Sequence, residues 1–358
     1  MRLLKNNKNW RHGMAQILKH SAIFVKSTIA MTVDFFAVSK SSPVNENALL
    51  IVKIDAIGDY TLFRNYLEVI RKSQKYKDYK ITLCGNIIWK DLTETFDKQF
   101  IDECIWINVK KLRTSIFYRY NILKTISQKG FETTIQPTYS RDFYDGDAIV
   151  KASNAKERIG SHGDYANSRP WQKRISDRWY TCLVAASAEP MMEIGRYAEF
   201  FHNLGLTSSP AQLPIFAITD EAKGDVKEDA YYILCPGAGR QQRCWPLEYF
   251  AEVAKKIYDA TGWSGIICGG KDDQEIGHRL INITHAPLRT MAGKTSLPEL
   301  VTIIRKAQLL IANETAAVHI AAAVGTPVVC ILGGGHYGRF MPYKTETQTS
   351  RRLPVAVT

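Results

Sequence analysis

The chain of 358 residues has no CxxC pair, no GxGxxG, no GxxxxGKS/T, no GxSxG and no HExxH. Each absence removes a class. Seven cysteines, scattered and odd in number (Cys84, Cys104, Cys182, Cys235, Cys244, Cys268, Cys330), exclude a disulfide framework and a cysteine-rich zinc site. They fit a reducing compartment, so a cytoplasmic protein is expected. The missing phosphate loop and dinucleotide fingerprint exclude those nucleotide-binding devices, and the histidines form no metal-ligand pair. The paired aspartates Asp145/Asp147 and Asp272/Asp273 resemble ordinary surface pairs, and no metal is expected. Long apolar runs are also missing. Ala22–Val38 is apolar-rich but is broken by Lys26 and Asp34, short of the ~20 apolar residues a bilayer crossing needs. No small-residue cleavage site follows it, so it does not read as a signal peptide.

Acidic side chains are the scarcer sign, 35 against 47 basic ones, leaving a formal +12. The bases are spread along the chain without a zinc-finger spacing, a recognition-helix signature or an Arg/Gly tract, so nucleic acid is not an expected partner. A basic surface equally suits anionic, phosphorylated substrates. Residues 1–50 hold Arg2, Lys5, Lys8, Arg11, Lys19, Lys26 and Lys40 against only Asp34 and Glu46. Residues 1–47 therefore read as a basic amphipathic extension. It either lies on an anionic membrane surface or docks on the body as an extra helix.

A strand-then-helix rhythm, the mark of a parallel sheet covered by helices, begins at residue 48. Leu49–Ile54, Tyr79–Cys84, Ile101–Trp106 and Phe131–Gln136 read as strands, with helices over Tyr60–Lys72 and Leu112–Gln128. Residues 137–178 break the rhythm with Pro137, Gly146, Gly160, Gly163 and Pro170, and are expected to wrap the sheet edge as an insert. A helix over Glu193–Leu204 leads to the junction at Ser208-Ser209-Pro210. The second half restarts with five strands (Tyr231–Cys235, Ser264–Cys268, Leu288–Met291, Leu309–Ala312, Val328–Leu332) and four helices between them, a doubly wound α/β domain. The expected division is 48–210 and 211–343, with 344–358 a tail that packs back or frays.

Ligands of open parallel sheets sit beyond the C-terminal ends of the strands, so the strand-to-helix turns carry the candidates. In Lys53-Ile54-Asp55-Ala56-Ile57-Gly58-Asp59, Gly58 permits close backbone approach. Asp59 reads either as a helix-start carboxylate or as a base facing a cleft. In Pro236–Pro246, the small residues Gly237, Ala238 and Gly239 let backbone N–H groups meet an anion that Arg240 and Arg243 neutralise, while Trp245 reads as a core plug. In Gly269-Gly270-Lys271-Asp272-Asp273, a carboxylate, Asp272 above all, suits ribose hydroxyls or a helix cap. In Asn313–Ala323, small residues after Glu314 and Thr315 expose a helix N-terminus, a site for phosphate. His319, one turn in, leans toward the same mouth or fills the core. Gly333-Gly334-Gly335 lacks a following Lys-Ser/Thr and reads as a flexible wall.

These turns in this order resemble glycosyltransferase family 9, the ADP-heptose:lipopolysaccharide heptosyltransferases and their relatives. The likeness rests on Leu50-Ile51-Val52-Lys53 with Ile57-Gly58-Asp59, Pro236-Gly237-Ala238 with Arg243-Cys244-Trp245-Pro246, and Gly269-Gly270. It continues through Ala292-Gly293-Lys294-Thr295-Ser296-Leu297 and Asn313–Ala322 with Gly325-Thr326-Pro327. It covers roughly residues 48–343. The resemblance implies GT-B architecture, two Rossmann-like parallel-sheet domains facing across a cleft, with acceptor on the first and nucleotide-sugar donor on the second. It implies metal-independent, inverting transfer, with Asp59 as general base and Arg243 in place of a phosphate-binding lysine. Gly237, Ala238, Gly239, Arg240, Gly270, Asp272, Thr295, Glu314, Thr315, Ala316 and His319 would then face the donor. Glu314 stands where the family has aspartate, and Ala316 where it has glycine. Lys53, Gly58, Arg141, His162 and Arg169 are the expected acceptor contacts, the last three in the 137–178 insert with Tyr139 and Lys173. No cofactor is implied beyond a nucleoside-diphosphate sugar, ADP-heptose being one option. The acceptor would be a lipid-linked or cell-surface glycan such as lipopolysaccharide, met by a cytoplasmic protein peripheral to the membrane. A nucleotide-sugar epimerase and a non-catalytic glycan-binding assembly protein are the rival readings.

Overall fold

The structure is a computed structural model and describes residues 21–38, 42–216, 230–335, 337–343 and 355–357. Helix α1, Ser21–Val38, precedes the first sheet. That sheet is wholly parallel, from β1 (Ala48–Lys53), β2 (Lys80–Asn86), β3 (Glu103–Ile107), β4 (Thr133–Gln136), β5 (Glu157–Ser161) and β6 (Cys182–Val184), in the order β3-β2-β1-β4-β5-β6. Strand β1 is central, with Ile51 opposite Leu83 on one side and Ile135 on the other. All six of its residues are buried, as a strand covered by helices on both faces requires. The order reverses between β1 and β4, which opens a crevice at their C-terminal ends.

The second sheet repeats this plan. Its strands are β7 (Tyr231–Cys235), β8 (Ser264–Ile267), β9 (Leu288–Thr290), β10 (Leu309–Asn313), β11 (Val328–Ile331) and β12 (Val355–Val357), in the order β12-β11-β10-β7-β8-β9. The reversal here lies between β7 and β10. Strand β12 comes from the expected tail and pairs in parallel with β11, Cys330 opposite Ala356.

Other departures from expectation are local. The first helix divides at Arg64 into α2 (Ile57–Phe63) and α3 (Asn65–Lys72), and α4 is Lys90–Phe96. The basic helix divides into α5 (Val109–Thr114) and α6 (Ile116–Ser127), because the Ser115 hydroxyl caps α6 by accepting from the Tyr118 N–H at 3.3 Å. The 137–178 segment is not an irregular insert. It contains α7 (Gly146–Ser153), β5 and α8 (Pro170–Ser176), and with β6 it extends the sheet by two strands. Helix α9 (Glu193–Asn203) then leads toward the second domain, whose helices are α10 (Leu247–Thr261), α11 (Gln274–Ile283), α12 (Leu297–Lys306) and α13 (Ala316–Val324).

The domains touch through α2 and α13, and one apolar core runs from Tyr60 and Phe63 on α2 through Tyr197 and Phe201 on α9 to Ala317 and Ile320 on α13. The chain after β11 returns to the first domain, where the Glu193 N–H donates to the Arg339 carbonyl at 2.7 Å and Arg339 Nε meets Glu193 Oε2 at 3.2 Å.

Helix α1 docks on the first domain by one face. Asp34 is buried and accepts from Arg119 Nε and Nη2 at 2.6 and 2.7 Å, and the Ser27 hydroxyl lies 2.6 Å from Tyr144 Oη. The opposite face leaves Phe24, Val25, Ile29, Phe35 and Phe36 exposed. Of residues 1–20 no structure is described, and the expectations made there lie outside the described residues.

Candidate active site

In the second domain a cavity of about 490 Å³ opens at the reversal between β7 and β10. Its wall includes Gly237, Ala238, Gly239, Gly270, Asp272, Thr295, Thr315 and Ala316. Asn313, fully buried at the end of β10, staples the loop after β7. Its Oδ1 accepts from the Trp245 N–H at 3.0 Å and its Nδ2 donates to the Pro236 carbonyl at 2.7 Å. Asp273, rather than Asp272, braces the glycine loops. Its Oδ2 accepts from the Gly270 N–H at 2.8 Å, and a Cβ built on Gly237 would fall 2.0 Å from its Oδ1. Only glycine fits there. Asp272 stays exposed on the wall.

Thr315 precedes α13 in extended conformation without capping it, and its Oγ1 is buried with no hydrogen-bond partner. A polar atom left so costs about 1–3 kcal/mol, and it sits at the start of α13, where a helix leaves its first N–H groups without intrahelical carbonyls. A hydroxyl and a helix dipole on one cavity wall suit a phosphate. Arg240 is exposed and Arg243 half-buried beside Gly333; neither lines the cavity. Glu314 is half-buried, off the cavity wall, near Cys330. Burial, then the Glu314 charge, push that thiol up to about 12.

His319 is not on the cavity wall. It is buried in the seam between the domains, with Nδ1 2.5 Å from Tyr343 Oη and Phe340 beside it. Burial lowers its pKa to about 4, so the ring is neutral. The ring packs on the bare backbone of Gly58, where a Cβ would lie 2.8 Å from His319 Cδ2. Gly58 is therefore a seam residue.

In the first domain a cavity of about 320 Å³ lies at the β1/β4 reversal, lined by Asp55, Asn86, Arg113, Thr138, Ser140, Asp142, Asp145 and Asn167 among others. None of the five expected acceptor residues lines it. Lys53 is fully buried, donating at 2.5 Å to both Asp55 Oδ2 and Tyr197 Oη. Arg141 is buried over the Tyr180 ring and paired with Asp147 at 3.2 Å and with Asp177. The two carboxylates hold its Nη1 and Nη2, while its Nε is buried without a partner. The exposed His162 and the half-buried Arg169 hold the backbone of the β5–α8 segment. The His162 N–H donates to the Val184 carbonyl at 2.8 Å, and the Arg169 N–H to Gln172 Oε1 at 3.0 Å. The lining residues are neighbours across strand ends, a relation that periodicity along the chain does not reveal. The Asp145/Asp147 pair, expected at the surface, is buried instead: Asp145 lines the cavity and Asp147 is held by Arg141.

Between the cavities stands the turn after β1. Ile54, Asp55 and Ala56 face the first, and Ile57 faces the second. Asn86 Nδ2 and Trp89 Nε1 hold this turn by its carbonyls at 3.0–3.2 Å. Burial pushes Asp55 up, but the Lys53 ammonium and the Thr138 hydroxyl bring it below the usual carboxylate range. Asp59, in the first turn of α2, is opposite in behaviour. Burial first, then the Asp55 charge, push it up to about 7. It lines neither cavity and accepts no hydrogen bond among the described residues.

Two Rossmann-type domains, joined face to face with a cavity at each reversal of strand order, define a GT-B glycosyltransferase fold. The family model for glycosyltransferase family 9 (heptosyltransferase) matches residues 148–354, more than half of the chain. The chain belongs to that family. It is 32% identical over 170 residues to lipopolysaccharide heptosyltransferase 2 of Escherichia coli strain K12, a match covering 42% of this chain and 48% of that protein. It is 29% identical over 302 residues to lipopolysaccharide heptosyltransferase 3 of Escherichia coli, covering 81% and 84%. Among solved structures, E. coli heptosyltransferase WaaC with ADP-2-deoxy-2-fluoro heptose superposes with a TM-score of 0.64 at 16% identity, covering 83% of this chain and 91% of that one.

Proposed function

We propose that the protein transfers a heptose or related sugar, with inversion and without an obligatory metal, from a nucleoside-diphosphate donor to a hydroxyl of lipopolysaccharide or another cell-surface glycan. One observation carries this reading: the turn after β1, which runs into Asp59 in the first turn of α2, separates a phosphate-suited cavity from a second one lined by carboxylates, hydroxyls and amides. Asp59 takes the proton of the acceptor hydroxyl as that oxygen attacks the anomeric carbon. The bond from that carbon to the diphosphate oxygen breaks, and the nucleoside diphosphate leaves with the electron pair. Negative charge grows on the departing phosphates, where the α13 N–H groups and the Thr315 hydroxyl face it; Arg243, on the loop after β7 and off the cavity wall, would add positive charge from outside it. ADP-heptose is the donor favoured by family membership and by the ADP-sugar held by the E. coli neighbour.

The same reading places the protein in the cytoplasm, peripheral to the inner face of the membrane. Ser21–Val38 has a mean hydropathy of 1.5 over 18 residues, yet Asp34 and Ser27 are tied to the body. That favours a helix lying on the bilayer by its Phe24, Phe35 and Phe36 face, next to an acceptor with a lipid tail.

The test incubates the protein with ADP-heptose and a lipopolysaccharide acceptor lacking its outer sugars, without added metal and with a chelator, and follows products by mass. Heptose-bearing acceptor and free ADP support the reading. Isomerised donor without transfer, or binding without turnover, would replace it with the epimerase or the assembly protein.

A further inference from the structure

The cavity of the first domain is acidic and incompletely satisfied. Arg113 is its one lining cation among the described residues, and that guanidinium is already committed: Nε donates to Asp145 Oδ2 at 2.7 Å, Nη2 donates to the same carboxylate, and Nη2 reaches Asp142 Oδ2 at 3.1 Å. Lys53 lies beneath Asp55 and is likewise engaged. Three carboxylates thus meet two occupied cations. Two polar atoms in the wall have no hydrogen-bond partner, Asp145 Oδ1 and Ser140 Oγ, in residues 4% and 1% exposed. The rest of the polar lining, Asn86, Gln136, Thr138 and Asn167, is neutral. Buried polar atoms without partners are uncommon in a folded chain and point to a ligand that supplies them.

We propose that this cavity takes the uncharged polyol face of the acceptor sugar and discriminates against a sugar bearing phosphate or carboxylate there. The proposal rests on the transfer reading and refines it by fixing the charge of the acceptor at the reacting end. Sugar hydroxyls donate to carboxylate oxygens, Asp145 Oδ1 among them, and accept from the Ser140 hydroxyl, so both open positions find a partner. An anionic substituent brings acceptors only, into a wall whose donors with positive charge are spent. Its repulsion by the carboxylates works at short range and is little screened.

The experiment uses the full chain at pH 8 with saturating ADP filling the second cavity, so that a sugar phosphate cannot bind there. Methyl α-mannopyranoside and mannose 6-phosphate are titrated by saturation-transfer NMR, with ADP binding followed separately by thermal shift. The neutral glycoside is expected to bind at least about tenfold tighter than the phosphate. Asp142→Asn keeps the acceptor that the Tyr144 N–H uses at 2.8 Å but removes a charge, so it should narrow that ratio several-fold. Ser140→Ala should weaken the neutral glycoside alone, and ADP binding should be unchanged in both variants. Equal or tighter binding of the phosphate, a ratio untouched by Asp142→Asn, or no binding of either sugar while ADP binds, overturns the proposal. Failure of ADP to bind the wild-type chain overturns the transfer reading beneath it.

Discussion

Replacing Asp59 by Asn separates catalysis from stability, because the two should move in opposite directions. On the proposed role as base for the acceptor proton, turnover of Asp59→Asn should fall by ~10²–10⁴ while donor affinity stays within about twofold. The effect of Asp59 on folding follows from its pKa, raised by burial and then by the Asp55 charge from 3.8 to about 7. The folded chain keeps this proton up to about pH 7, whereas the unfolded chain gives it up near 3.8. Between those values the unfolded state gains stability with each rise in pH, and the fold loses it; above 7 the loss is complete. Full burial would make that loss about 4 kcal/mol at ~1.4 kcal/mol per pH unit. Asp59 is only half-buried, and residual solvation reduces the figure to about 2 kcal/mol. Asn carries no charge to desolvate. Urea denaturation should therefore show Asp59→Asn equal to wild type near pH 4 and about 2 kcal/mol more stable at pH 8. The wild-type kcat/KM should fall as pH drops below about 7. That limb does not belong to His319, which burial keeps neutral down to about 4. Equal stability of the two proteins at pH 8, or near-normal turnover of the variant, would refute the argument.

Thr315→Val should hold or raise the melting temperature, since it removes a buried hydroxyl that has no protein partner, but should weaken nucleoside-diphosphate binding about five- to tenfold by calorimetry. Gly58→Ala places a Cβ 2.8 Å from the His319 ring, itself held by Tyr343. It should cost ~1–3 kcal/mol despite the better helix propensity of alanine, and a second change, His319→Ala, should relieve the clash. Phe35→Ser with Phe36→Ser, at side chains 66% and 60% exposed, should lower flotation with anionic vesicles about tenfold or more while leaving the unfolding midpoint in place. Equal flotation would remove the membrane role of α1.

The second domain was almost fully legible in the sequence, and the first only in its opening half, for a physical reason. Strands β7, β8 and β10 are short apolar runs fenced by Gly, Pro or Asn, and their turns carry the small residues that a phosphate cavity needs. Such signals are local. Strand β5, Glu157–Ser161, opens with Glu and Arg and contains Gly160, which leaves room for the Tyr180 ring where a Cβ would lie 2.3 Å from it. It is a strand by its neighbours and not by its own composition, so tertiary packing overrides propensity there. The same distinction divides the site residues. Asp59, Thr315 and the glycine turns are marked by their position at a strand end or helix start. The polar residues of the insert could not be ranked that way, because Arg141 and Asp145 are both charged, both lie after β4, and both are buried. Each also keeps one buried polar atom unbonded, Arg141 Nε and Asp145 Oδ1; what separates them is place, because Asp147, Asp177 and the Tyr180 ring enclose Arg141, while Asp145 lines a cavity. Residue type announces that a charge must be paired, and only the fold decides whether the chain itself supplies the partner or leaves that place to a substrate.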